Sequence, residues 1–343
     1  MNVGSTFTGI GGIDLGLERA GMRIVWQCES DAYRREVLAR RFPGVPCCED
    51  IREINPAARP AWIGTGRRAV GGDGLRATAD ATLIDAEGID LLCGGFPCQD
   101  VSVAGRRAGL AGSRSGLFYE FARIAESLRP RWLLVENVPG LLSSHGGRDF
   151  GVVLGALADL GYGLGWRILD SRFFGVPQRR RRVFIVGTLA DGDPRAAAER
   201  AGQVLAVGTR CKGHSSTRGE AREEVTGTLG GGSGNRGFCD DFDRSGAFVT
   251  SFYMIQDPID ELDGTPSLGR KSGGRSDQGQ NTNYVPAGFG VRRLTPRECE
   301  RLQGFPDNWT DGPDSRRYAA LGDAVTVNVA EWIGRRILAA KGT

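Results

Sequence analysis

Two short segments of this chain carry residue types that can do chemistry together. One is Gly94-Gly95-Phe96-Pro97-Cys98-Gln99; the other, about forty residues on, is Glu136-Asn137-Val138. Cys98 stands behind a proline at the close of an apolar run containing Ile89, Leu91 and Leu92, which reads as a nucleophile at the end of a buried strand. The apolar run Trp132 to Val135 delivers the Glu136 carboxyl in the same way. One thiol and one acid at the ends of neighbouring strands can attack and protonate a ring, which points to covalent chemistry on a pyrimidine. The thiol must act as thiolate; a free cysteine titrates near ~8.5, and nearby arginines raise the ionised fraction. A ring activated by protonation needs no histidine base, and the chain has only His145 and His214.

The elements around these residues alternate. Asn2 to Phe7, Arg23 to Cys28, Leu91 to Cys93, Trp132 to Val135 and Val183 to Thr188 read as strands. Ile13 to Ala20, Ala32 to Phe42, Phe118 to Leu128 and Val152 to Leu160 have helical periodicity. Such alternation predicts a mostly parallel sheet covered on both faces, with ligands beyond the carboxyl ends of its strands. Phe7, Glu29, Cys98 and Glu136 each fall at such an end, which argues for one shared site.

The turn Phe7-Thr8-Gly9-Ile10-Gly11-Gly12 leads from strand to helix, and its glycines let a ligand approach the backbone closely. It lacks the third spaced glycine of a dinucleotide fingerprint. An acid at the next strand end, Glu29, suits ribose hydroxyls, and Asp50 suits an exocyclic adenine amine. An adenosine-containing cofactor fits; nothing here cradles a triphosphate. In Gln178-Arg179-Arg180-Arg181-Arg182, residues Arg180 and Arg182 point the same way if the run enters a strand, within reach of a base carbonyl, the acid or a phosphate.

Composition sets bounds. The chain has 343 residues, 40% of them hydrophobic, and a net charge of +3, too small by itself to mark a nucleic-acid binder. Arginines are nevertheless concentrated at 179–182, in the loop holding Arg106, Arg107 and Arg114, and around Arg292 to Arg301. No apolar run approaches the ~18 residues of a membrane span, and the N-terminus lacks a signal-peptide pattern. Eight scattered cysteines read as reduced cytoplasmic thiols, and no Cys/His spacing suits zinc, so no metal is expected. Residues 56–88 read as a peripheral insertion. From about 206 to 290 the chain is rich in Gly, Ser, Thr, Asn and Asp, with short aromatic fragments, and reads as a small loop-rich domain. Thr295-Pro296-Arg297-Glu298 predicts a capped helix to about Gln303, and Val325 to Ala340 a final helix returning to the first domain.

Taken in order, these motifs resemble the DNA cytosine-5 methyltransferases of bacterial and phage type, with Arg293-Leu294-Thr295-Pro296-Arg297-Glu298 and Leu321-Gly322-Asp323-Ala324-Val325 completing the set. The match covers 1–55, 89–189 and 291–331. The resemblance implies a Rossmann-like α/β domain that binds S-adenosylmethionine, over residues 1–190. It also implies a smaller, loop-rich target recognition domain over 191–290, and a hinge with a C-terminal helix over 291–343. Cys98, Glu136, Arg180 and Arg182 would be catalytic. The cofactor would be bound by Phe7, Gly9, Ile10, Gly11, Gly12, Glu29, Asp50, Ile51, Pro97, Leu117, Asp323 and Val325. Gln99, Ser102, Arg106, Arg114, Arg179 and Thr228 would meet double-stranded DNA. A monomeric cytoplasmic enzyme is implied, with a cognate restriction endonuclease as a partner the family allows. The family usually has asparagine where this chain has Asp323; ionised aspartate accepts hydrogen bonds but cannot donate them, so that contact is expected to be tuned rather than lost. Three alternatives stand beside this reading. A transfer-RNA cytosine methyltransferase would carry a Cys-Phe-Thr element that is absent here. A silent DNA-binding relative would lack the thiol or the acid. A structural protein on a nucleotide-binding fold would leave the thiol, acid and arginines unexplained.

Overall fold

The computed structural model describes residues 1–54, 61–62, 83–84, 88–97, 116–207, 284–287 and 290–340. Its centre is a seven-stranded sheet. Strand β1 (Asn2–Thr6) leads to helix α1 (Gly12–Arg19), then β2 (Arg23–Cys28), α2 (Ala32–Arg41) and the short β3 (Cys47–Cys48). A two-residue pair, β4 (Ala61–Trp62) with β5 (Leu83–Ile84), stands apart from this sheet. Then follow β6 (Leu91–Gly94), α3 (Leu117–Leu128), β7 (Trp132–Asn137), α4 (Arg148–Asp159), β8 (Tyr162–Asp170), β9 (Arg181–Leu189) and α5 (Pro194–Leu205). A hairpin of β10 (Tyr284–Ala287) and β11 (Gly290–Arg293) precedes α6 (Pro296–Leu302), α7 (Asp314–Asp323) and α8 (Val327–Ala340).

The strand order is β3-β2-β1-β6-β7-β9-β8. All neighbours pair in parallel except β9, which runs against both β7 and β8. The reversal matters: it brings the start of β9, with Arg181 and Arg182, to the rim where β7 ends in Glu136 and Asn137.

The central strands are buried on both faces, so they read as continuous apolar runs rather than alternating ones. Their side chains still divide by the two-residue period. Leu91, Cys93, Trp132 and Leu134 pack with Leu17, Val37, Leu38, Val204, Ile333 and Ile337, so α1, α2, α5 and α8 cover one face. Leu92, Leu133 and Val135 pack with Phe118, Phe121, Val153 and Leu157, so α3 and α4 cover the other. The predicted doubly covered, mostly parallel sheet is thus observed. Strand β1 stops at Thr6 rather than Phe7, β7 runs on to Asn137, and α4 starts four residues earlier than its periodicity suggests. Strand β8 and helix α5 were not expected from sequence; α5 packs on β8 and β9, so this face of the sheet is covered by residues up to Leu205. The capping box at Thr295 is present in full: its hydroxyl accepts from Glu298 N at 3.3 Å, and Glu298 Oε2 accepts from Thr295 N at 2.7 Å.

Asp14 on α1 is a buried acid whose neighbours do not offset its burial. Gln27 Nε2 donates to its Oδ2 at 3.0 Å, while Oδ1 has no hydrogen-bond partner among the described residues. Burial pushes its pKa from 3.8 to about 7, against hydrogen bonds from Ser5 and Gln27. A carboxyl whose folded pKa is raised stabilises the fold below its unfolded pKa, and that contribution is lost as pH climbs toward about 7. Asp14→Asn, neutral throughout, is therefore expected to stabilise the chain by about 2 kcal/mol at about pH 8, with a smaller gain at about pH 5.5. Urea unfolding at the two pH values checks this.

Candidate active site

The ends of β1, β2, β3, β6 and β7 open into one cavity of about 690 Å³. The turn after β1 forms its floor. Phe7 (φ +52°), Gly9 (φ +61°) and Gly11 (φ +82°) all lie in the left-handed region, a cost that for phenylalanine is of order 1 kcal/mol and marks a backbone held for a purpose. The turn is anchored to β2: Thr8 N and Thr8 Oγ1 both donate to the Cys28 carbonyl, at 3.1 and 3.2 Å. Gly9 N donates to Glu29 Oε2 at 2.7 Å, and Asp31 N donates to Oε1 at 2.9 Å. Glu29 is thus locked by two backbone donors, and each of its oxygens keeps a lone pair for a ligand hydroxyl. Burial raises its pKa, and the two donors together with the Arg34 charge offset this only in part. Asp50 caps the turn at Ile51 by accepting from Arg52 N at 3.0 Å.

The acid at the end of β7 is the second feature. Glu136 is buried, and burial raises its pKa while Arg182 and Arg180 pull the other way. Arg182 Nε lies 3.0 Å from Glu136 Oε1, but off the line of a hydrogen bond, so Oε1 is left without a hydrogen-bond partner among the described residues. Burial thus favours the neutral form of Glu136 more than in an ordinary glutamate, and its Oε1 stays open among the described residues, an arrangement that suits a proton donor. Its place is set by its neighbours. Asn137 Nδ2 donates to the Phe96 carbonyl at 2.9 Å, which ties the backbone just before Cys98 to the strand that carries Glu136. A Cβ on Gly95 would come within 2.9 Å of Glu136 Oε2. Gly95→Ala is therefore expected to displace the carboxyl and lower kcat by about 10- to 100-fold while thermal unfolding stays close to wild type. Kinetics paired with a melting curve check it.

Arg180 is almost wholly buried, and none of its three guanidinium nitrogens has a partner among the described residues. Burial and the charge of Arg182 push it down to about 9, against the pull of Glu136 and Asp323. Gln178 is equally buried, and neither of its amide atoms has a hydrogen-bond partner among the described residues. Arg179, between them, is exposed.

Of the residues expected from sequence to bind cofactor, Phe7, Gly9, Gly12, Glu29, Asp50 and Ile51 line the cavity, as do Pro97, Leu117, Asp323 and Val325. Glu136 and Arg182 join them. Ile10 and Gly11 are not in its wall. Ile10 is core, its carbonyl accepting from Trp309 Nε1 at 2.8 Å, and Gly11 is the N-cap of α1. Cys98, Gln99, Ser102, Arg106, Arg114 and Thr228 lie outside the described residues. Sequence reasoning passed over Arg34, Glu49, Arg52 and Asn137, which also line the wall. Of these only Asn137 carried a signal, as part of the quoted Glu136-Asn137-Val138.

A match to the family model of C-5 cytosine-specific DNA methylases runs over residues 1–339. The chain belongs to the C-5 cytosine-specific DNA methylases. Relatives agree. The methylase is 30% identical to the type II methyltransferase M2.BsuMI of Bacillus subtilis, across 100% of this chain and 77% of that protein. It is 31% identical to M.NgoBI of Neisseria gonorrhoeae, across 95% and 89% of the two chains. Solved structures share the fold. The S. pombe Dnmt2 methyltransferase superposes with a TM-score of 0.61 at 16% identity over 100% of both chains. The Entamoeba histolytica methyltransferase EhMeth gives 0.55 at 15%, over 99% of this chain and 98% of that one.

The methyl donor of the methylase is S-adenosylmethionine, and the cavity suits it. Besides Glu136, its walls carry four carboxyl groups (Glu29, Glu49, Asp50, Asp323) against three guanidinium groups (Arg34, Arg52, Arg182), which favours a ligand of net positive charge such as a sulfonium. Glu29 and Asp50, the two acids expected from sequence to meet the cofactor, both line this cavity. Among the described residues, no helix is long and apolar enough to cross a membrane.

Proposed function

We propose that this methylase attacks cytosine in duplex DNA through a covalent Cys98 adduct, with Glu136 as the acid. The observation that supports the reading best is Glu136 itself: buried, close to Arg182, packed against Gly95, and facing the same cavity as Pro97. The target base must leave the helix to reach such a recess. The Cys98 thiolate then adds to ring carbon 6 while Glu136 gives its proton to ring nitrogen 3, so that the electron pair driven from the ring double bond collects at carbon 5. S-adenosylmethionine, when bound, supplies the methyl group that carbon 5 accepts. Loss of the carbon 5 proton to solvent returns electrons to the ring, and as the bond from carbon 6 to sulfur breaks, Cys98 leaves as thiolate and ring nitrogen 3 gives its proton back to Glu136. Arg182 holds the base carbonyl, and Arg180 supports the site from behind with its unpartnered N–H groups.

In this reading residues 1–190 form the catalytic unit, to which α5 adds the stretch up to Leu205 by packing on β8 and β9; the rest of 191–290 is the target recognition domain, and 291–343 the hinge and returning helix. Gln99, Ser102, Arg106, Arg114 and Thr228, outside the described residues, contact DNA in this reading, and Arg179 meets phosphate from its exposed position. The enzyme works as a cytoplasmic monomer, in a restriction-modification system or in protection against one, a reading the type II relatives support. Methyl transfer from labelled S-adenosylmethionine to unmethylated duplex, followed by conversion sequencing, tests it. The expected product is methylcytosine in one short recurring context; label confined to RNA or to adenine would refute it.

A further inference from the structure

Asp323 closes α7 and reaches the cavity wall, where Arg34 Nη2 of α2 donates to its Oδ2, joining residues 289 positions apart in the chain. Both side chains are mostly sheltered, at 20% and 33% exposure. Arg34 is set in place by its own helix, its backbone N–H donating to the Asp31 cap at 3.0 Å. The segment after Asp323 is pressed against the start of α1, since a Cβ on Gly12 would come within 2.4 Å of the Val325 carbonyl. The far side of the same segment is held by the Arg34 pair. Around it the charges are few. Asp323 faces Arg34, Arg180 and Glu136; Glu136 faces Arg182, Arg180 and Asp323; Arg34 also acts on Glu29.

We propose that Arg34 is a positioning residue of the cofactor site: by pairing with Asp323 it joins α2 to the end of α7 across the cavity wall and offsets part of the charge that Asp323 exerts on Glu136. The second half of this rests on the proposed role of Glu136; the first does not. Arg34 touches no reacting atom. It keeps Val325 and the Glu29 side of the cavity at a fixed separation, and so sets the width into which S-adenosylmethionine must fit. It also limits how far Asp323 raises the proton affinity of Glu136, which lies in the same field.

The test is a double-mutant cycle read by calorimetric binding of S-adenosylmethionine to the full chain without DNA. Arg34→Gln and Asp323→Ala are each expected to weaken binding about tenfold, and the double variant to be no weaker than either single one. The reversed pair, Arg34→Asp with Asp323→Arg, should return binding to within about threefold of wild type. Thermal melts identify any variant that fails to fold, and Arg34→Lys, which keeps the charge, then takes its place with an expected loss of about threefold or less. Effects that multiply in the double variant, or a reversed pair as weak as the singles, would overturn the proposal. A second readout separates positioning from mere support. In single-turnover methyl transfer, Arg34→Gln should move the alkaline limb of the rate to higher pH and Asp323→Asn to lower pH. Limbs that do not move in opposite directions would remove the claim about Glu136. A wild-type enzyme that modifies no cytosine would refute the Glu136 reading alone, because the binding cycle still decides the positioning role.

Discussion

Replacing Cys98 by alanine is expected to lower methyl transfer to DNA by more than about 10⁴-fold while leaving S-adenosylmethionine binding within about threefold of wild type. In the proposed mechanism carbon 5 of cytosine becomes nucleophilic only once a thiolate has added to ring carbon 6, and none of the residues lining the cavity is placed in that role. The Glu29, Asp50 and Phe7-to-Gly12 side of the cavity is built from β1, β2 and β3, and the alanine leaves it untouched. Single-turnover transfer to a duplex, with binding measured on the same preparation, checks both halves. Full transfer by the alanine variant would end the covalent mechanism.

Glu136→Gln is expected to cost about 10²- to 10⁴-fold in kcat. An amide of the same shape can still hydrogen-bond the base, so KM for DNA should change little, but it cannot hand over a proton. The pH dependence carries more information than the magnitude. Burial raises the pKa of Glu136, opposed by Arg182 and Arg180, so the acid form persists to higher pH than in an ordinary glutamate. Activity that needs the protonated form is present below that pKa and is lost as pH rises through it. The wild-type rate should therefore show an alkaline limb that the glutamine variant lacks. An identical limb in both would assign it to another group.

How much of this was legible beforehand follows from the physics of each element. The ends of β6 and β7 were readable because strands buried on both faces leave uninterrupted apolar runs, and the residues just after them inherit a defined position. The Thr295 helix was readable because its capping box is local. Strand β8 was not, since Gly163 and Gly165 weaken a strand pattern. Their absence of side chains is what lets α5 close on the sheet: a Cβ on Gly163 would fall 2.3 Å from Ala198 N. Arg180 and Gln178 gave no sign of being buried, because a run of polar residues advertises solvent, and only the reversal of β9 takes them inside. Ile10 and Gly11 belong to the glycine-rich turn by sequence, yet one faces the core and the other caps a helix. Arg34 had no signal at all; its partner is at the other end of the chain.

The central claim is a bond between Cys98 and cytosine, and trapping tests it most directly. Fluorine in place of hydrogen at carbon 5 of the target base blocks the proton loss that releases the thiolate, so the adduct cannot collapse. The wild-type enzyme, incubated with S-adenosylmethionine and such a duplex, should form a denaturant-stable complex. Mass spectrometry of its peptides should place the methylated fluorocytosine on Cys98, and Cys98→Ala should form none. A methylated, freely dissociating duplex, or an adduct on any other residue, would contradict the account.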